Sequence, residues 1–162
     1  MLSAGYLTLG YLTQLRHWRP TMIRAVLYQS TAKTDFPSAA DHDILETAWR
    51  HNGEMGITGY LLRTRTQYFQ LLEGGDDVLD DVVGMIRKDP RHTDMHILCD
   101  NTINKRRFAN WAMGYHLVTE AERDEFEGWL KDGDDFALSM ISYMQLMAER
   151  REAASPVHPG MK

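Results

Sequence analysis

The chain has 162 residues, an ordinary apolar share of 43% and a formal net charge of −5, which fits one globular domain with a tail or two. That charge gives no general electrostatic reason to bind nucleic acid, and the one basic triplet, Lys105-Arg106-Arg107, reads as a solvated strand entry. No apolar run is long enough for a membrane span, and the single cysteine, Cys99, excludes an intrachain disulfide or a cysteine-cluster metal site and suits a reducing, cytoplasmic setting.

Residues 1–21 carry a repeated Gly-Tyr-Leu-Thr, at 5–8 and 10–13, with no basic start and no clear small-residue cleavage site, so a signal peptide is not expected. Met22 could be the translation start; otherwise residues 1–21 form a loosely attached arm. Residues 23–28 are apolar and β-branched and read as a first, central strand. A polar loop over 29–40 follows, then a helix over about 39–52 with Ser38 as N-cap and Asp41 three residues on. On that helix Ile44, Ala48, His51 and Asn52 share one face, which begins apolar and ends polar. A helix that only filled a core would not end that way.

Gly53 stops the helix. Residues 56–62 make a second strand, 63–67 a tight polar turn, and 68–74 a third strand closed by Gly74-Gly75, so the pair is a hairpin. The odd residue in this apolar run is Gln70. A buried amide brings up to four hydrogen-bonding positions, each costing about 1–3 kcal/mol if unmet. Gln70 therefore either faces solvent or backbone, or meets a polar ligand edge. A second helix spans about 76–87, its acidic first turn and basic last turn matched to the helix dipole. Asp89-Pro90-Arg91-His92 ends it and leads to strands at about 95–99 and 108–115.

The order β-α-β-β-α-β-β, with right-handed crossovers, gives a ferredoxin-like α/β sandwich: a mixed five-stranded sheet with two helices on one face. C-terminal helices are expected over 119–130 and 134–151, split at Asp132-Gly133-Asp134. The apolar stripe of the last one (Phe136, Met140, Ile141, Met144, Met147) could cover the bare sheet face or a second subunit. The organisation is thus an extension over 1–21, a core over 22–116, helices over 117–152 and a frayed tail over 153–162.

No catalytic triad, phosphate-binding loop, dinucleotide glycine fingerprint or metal-ligand spacing is present in the sequence. What remains is a set of uncharged hydrogen-bonding residues near aromatics: Tyr28, Asn52 and Gln70, with Trp111 and Met113. A planar heteroaromatic with carbonyl and imide edges needs such partners.

Leu27-Tyr28-Gln29-Ser30, His51-Asn52, Gly56-Ile57-Thr58-Gly59, Phe69-Gln70 with Glu73-Gly74, Asp89-Pro90-Arg91-His92 and Lys105-Arg106-Arg107-Phe108 leading into Trp111-Ala112-Met113 occur in that order. In order and spacing they resemble the BLUF family, blue-light sensors that use a flavin, over about residues 22–115. The resemblance implies non-covalent FAD between the two helices, with Asn52 at the pyrimidine edge and His51 beside it. Gln70 would bridge Tyr28 and the N5/C4-carbonyl edge, Arg91 and His92 would lie near the polar edge or side chain, and Ile44 would pack on the ring. Ala48 stands where some members have serine, and His51-Asn52 where others have Asn-Asn.

It further implies that Tyr28 gives an electron and a proton on illumination, with Gln70 as relay. Gln70 then ends reoriented or in another tautomer, donating a stronger bond to the C4 carbonyl and shifting absorption slightly to the red. Trp111 and Met113, two apart on one expected strand and so on one face, would exchange places beside Gln70 as the signal switch. No catalytic output domain fits after Tyr115, so output is expected in trans, through a downstream protein partner, and a homo-oligomer is the expected assembly. The alternatives are a ferredoxin-like interaction module without functional flavin, or a flavin redox enzyme.

Overall fold

The computed structural model describes residues 22–131 and 135–154. The expected arm over 1–21, the break at 132–134 and most of the expected tail lie outside them. Five strands and two helices alternate as read from the sequence: β1 (Ile23–Ala32), α1 (Ala39–Met55), β2 (Thr58–Arg63), β3 (Gln67–Gly74), α2 (Asp76–Ile86), β4 (His92–Ile103) and β5 (Gly114–Leu117). A single 3₁₀ turn (Glu120–Glu122) leads into α3 (Arg123–Lys131), and α4 (Phe136–Ala154) follows.

The sheet order is β4-β1-β3-β2-β5. All neighbours are antiparallel except β2 and β5, which run parallel. This is the mixed ferredoxin-like sheet. Alternation along β1 and β3 sorts their side chains. Val26, Tyr28, Tyr68 and Leu72 face α1 and α2, together with Leu45, Leu79 and Val82. Ala25, Leu27, Phe69 and Leu71 face the opposite way, against Met140, Tyr143, Met144 and Met147 of α4 and Phe126 of α3. The apolar stripe of the last helix therefore covers the second face of this chain's own sheet, although Phe136 at its start stays 37% exposed.

Several expectations are corrected. Helix α1 runs past Gly53, the expected stop, to Met55, and β4 spans His92–Ile103, beyond the expected 95–99. The polar loop begins later than read, because β1 continues through Ser30 to Ala32, paired with both β3 and β4. Helix α4 runs to Ala154, past the expected start of the tail. The last strand is Gly114–Leu117, not 108–115. Residues 108–113 are irregular because Glu73, fully buried, accepts the backbone N–H groups of Arg107 (2.9 Å) and Phe108 (3.1 Å) and so draws that chain away from a ladder. Nor is the basic triplet simply solvated. Arg106 donates to the Gly56 and Glu73 carbonyls (2.7 and 2.6 Å) and to the Thr58 hydroxyl (2.9 Å), riveting this connector to the ends of α1, β2 and β3.

Candidate functional site

The cross-strand pairing of β1 with β3 sets Tyr28 opposite Gln70, both pointing to the helical side. The Tyr28 hydroxyl donates to Gln70 Oε1 at 2.6 Å. Both residues are buried, at 4% and 5% exposure. Gln70 thus does not face solvent. Its Nε2 lies 3.4 Å from Met113 Sδ, and a thioether is a weak acceptor. Desolvation pushes the Tyr28 phenol well above its ordinary range, so the hydroxyl stays a donor.

Above this pair opens a cleft of about 210 Å³ between α1 and α2. The α1 face supplies Ile44, Ala48, His51 and Asn52, the sheet supplies Leu61 and Leu72, and α2 supplies Val82 and Ile86. Helix α1 ends where it does because Gly56 takes a left-handed conformation (φ 65°) that a residue with a Cβ adopts only at a cost. Asn52 sits in the last turn, and its Nδ2 donates to the Ala112 carbonyl at 2.9 Å, which leaves its own carbonyl oxygen for a ligand donor. Asp89, Arg91 and His92, from the α2–β4 connection and the start of β4, complete the lining. Arg91 makes a two-pronged pair with Asp89 (Nε–Oδ1 2.9 Å, Nη2–Oδ2 2.5 Å). Those bonds hold the Asp89 carboxyl below its usual range. The His92 Nε2–H donates to the Ile86 carbonyl at 2.9 Å, while Nδ1 is buried with no partner among the described residues. In that tautomer Nδ1 is an acceptor.

All seven residues expected to contact a ligand, Tyr28, Ile44, His51, Asn52, Gln70, Arg91 and His92, line this one cleft. Trp111 does not. Because residues 111–113 are outside the strand, Trp111 and Met113 do not share a face. Met113 is buried on the cleft side beneath Gln70. Trp111 packs on the other side, its ring 5.5 Å from the Arg151 guanidinium and its Nε1 donating to Glu152 at 3.2 Å.

Tyr68 is a lining residue the sequence reading missed. It stands two residues before Gln70 on the same face, a spacing that could have found it. Its hydroxyl donates to the buried Asp41 at 2.7 Å, and Asp41 also accepts from Arg63 Nε at 3.2 Å. Arg63 is fully buried, with its guanidinium 4.5 Å from the centre of the Tyr68 ring. Asp41 was noted only as a helix-start residue, and Arg63 only as part of a turn.

The model of the BLUF family, "Sensors of blue-light using FAD", matches residues 23–114. The chain belongs to the BLUF family. Among relatives, it is 31% identical over 105 residues to the blue light- and temperature-regulated antirepressor BluF of Escherichia coli (strain K12), covering 64% of this chain and 26% of that protein. It is 30% identical over 95 residues to the photoactivated adenylate cyclase subunit alpha of Euglena gracilis, covering 57% of this chain and 9% of that one. The chain thus matches only a small part of each. Among solved structures, the dark state of BlrB, a BLUF protein, superposes with a TM-score of 0.70 at 23% identity, over 78% of this chain and 98% of that one, a likeness of fold.

The chain is accordingly a blue-light sensor of the BLUF type, whose chromophore is a flavin. The cleft's own chemistry fits such a ring. Its donors and acceptors are amides, a phenol and an imidazole, its walls are aliphatic, and the unpartnered His92 Nδ1 and weakly partnered Gln70 Nε2 call for a polar ligand. Among the described residues no helix is long and apolar enough to cross a membrane.

Proposed function

We propose that this chain holds FAD non-covalently in the cleft between α1 and α2 and signals in trans to a protein partner. The observation that carries this is the buried Tyr28–Gln70 hydrogen bond at 2.6 Å on the cleft floor. When bound, a flavin absorbs blue light and becomes a strong oxidant. Tyr28 would be the donor of an electron to it and, through Gln70, of a proton. Gln70 accepts from Tyr28 on one side and has a free N–H on the other, so it can pass a proton only by changing its hydrogen bonding. Once the electron and proton had returned, Gln70 would remain turned or tautomerised and would donate a stronger hydrogen bond toward the bound ring. Asn52 would hold the pyrimidine edge with His51 beside the ring, Ile44 would pack on the ring, and Arg91 and His92 would flank its polar edge or side chain; all of them line the cleft. FAD in place of FMN or riboflavin is supported by the family's description, and is tested by identifying the flavin released from purified protein.

Output through the C-terminal helices is supported by the contact of Trp111 with Arg151 and Glu152 of α4, and Trp111 and Met113 are the elements whose placement would report the state of Gln70. Exposed Trp129, Phe136 and Leu138 on α3 and α4 support a contact there with a partner or a second copy in a homo-oligomer. Free Cys99 suits a cytoplasmic setting.

The test is the visible absorption of purified protein in darkness, after blue light and during recovery. A flavin band that moves slightly red and returns is expected, and Tyr28→Phe should abolish the shift while flavin stays bound. A normal shift in Tyr28→Phe would refute the Tyr28 mechanism. Flavin that only bleaches would favour redox chemistry, and a colourless protein that takes up no added FAD would favour an interaction module.

A further inference from the structure

The backbone from Trp111 to Met113 lies beside Gln70, yet it is not a rung of the sheet: β5 pairs with β2 only from Gly114 onward. Three successive carbonyls in this segment are instead held by three separate donors. The Gly59 N–H donates to Trp111 O (3.0 Å), Asn52 Nδ2 to Ala112 O (2.9 Å) and the Trp49 indole Nε1–H to Met113 O (2.7 Å). Residues 49 and 52 are three apart on α1 and therefore neighbours on its surface. Asn52 is buried and lines the cleft, so its bond is shared with ligand binding. Trp49 is 44% exposed and lines no part of the cleft. Burial of a large aromatic does not account for its position; its short bond to Met113 does.

Methionine side chains are flexible and their sulfur is a weak acceptor. The 3.4 Å approach of Met113 Sδ to Gln70 Nε2 therefore cannot hold the segment in place and depends on where the backbone is pinned. We infer that Trp49 is a positioning residue for the photoresponse, its indole N–H fixing the Met113 carbonyl and so keeping the thioether against Gln70. This rests on the reading of Gln70 as the light-driven group. In the arrangement seen, Gln70 Oε1 accepts from Tyr28, as the proposal requires before illumination, so the Trp49 bond stabilises the state to which the protein returns.

Trp49→Phe keeps an aromatic ring at this exposed position while removing the indole N–H together with the pyrrole half that carries it. In protein carrying ¹³C-carbonyl methionine, the Met113 band (assigned by its disappearance in Met113→Leu) should move to higher frequency in Trp49→Phe, with or without flavin. In the flavin-loaded full chain, dark recovery should slow by about fivefold, the ratio one neutral hydrogen bond is worth, with the dark flavin band unmoved. Glu46→Gln, at an exposed position one turn earlier on α1, should leave recovery unchanged. Recovery within twofold of the parent in Trp49→Phe, or equal slowing in both variants, would overturn the assignment, as would an unmoved carbonyl band. A parent protein with no reversible red shift would refute the photoreceptor reading and this role with it. The carbonyl band would then still tell whether the Trp49 bond exists, so the two failures remain distinct.

Discussion

Tyr28 and Gln70 are useful because water is excluded from them. A phenol in water loses its proton near pH 10; desolvation pushes that of Tyr28 upward. Its folded pKa thus lies above the unfolded one, so the stability it contributes is complete below about pH 10 and is lost as pH rises through and beyond that value. We predict a red-shift amplitude that is flat from about pH 6 to 9, with Tyr28's own contribution to stability lost only on the alkaline side. A titration of amplitude with a midpoint near pH 8 would show that Tyr28 is not shielded as described. Single residues of this kind were legible in the sequence, since an amide within an apolar run needs a partner. The Arg63–Asp41–Tyr68 group was not. A charged residue where a strand meets a turn normally faces water, and only the packing of the start of α1 over the hairpin shows that Arg63 is enclosed. Its guanidinium is satisfied by Asp41 and by the carbonyls of Thr34, Asp35, Thr64 and Arg65. The same enclosure presents Tyr68 to the cleft.

At the scale of elements, period and punctuation located the helices and four of the five strands among the described residues, and the errors concentrate where tertiary contacts override them. The segment 108–115 reads as a strand by composition, yet Glu73 captures its start and α1 side chains capture residues 112 and 113, so pairing begins only at Gly114. Why it can begin there is visible in the neighbouring ring. A Cβ on Gly114 would lie 2.2 Å from Cδ2 of Tyr60, a fully buried side chain that packs on Phe108 at 5.2 Å. Gly114→Ala must displace either that ring or β5. Overpacking of this kind typically costs about 1–3 kcal/mol, and the displacement falls one residue from Met113. The expected result is a lowered denaturation midpoint together with an altered dark-recovery rate. A variant with parent stability and parent recovery would mean that the β2–β5 contact yields freely and does not hold the Met113 segment.

For the whole molecule, the sheet is a wall shared by two cores. One face bears the cleft with α1 and α2; the other is sealed by α4, whose Met140, Tyr143 and Met144 are fully buried. This division was only half legible, because a methionine stripe at helical spacing suits a second subunit as well as a sheet. It also separates stability from photochemistry. Removing most of the Met144 side chain opens a cavity against the face away from Gln70, and such deletions cost about 2–5 kcal/mol. Met144→Ala should therefore lower the unfolding free energy by that amount, and the urea midpoint with it, while the folded fraction keeps the same red shift, since Met144 packs in the core on the face of the sheet away from Tyr28. If α4 were instead a detachable arm that docks only on a partner, the substitution would leave the midpoint unchanged. If the sheet transmitted every core defect to Gln70, the red shift would change along with the midpoint. The first of these outcomes requires that light reach a partner through a helix already built into the core, by way of its outer surface and its contact with Trp111. A signal carried by wholesale release of that helix would have to break the larger of the two cores, and the energy of one rearranged amide is too small for that.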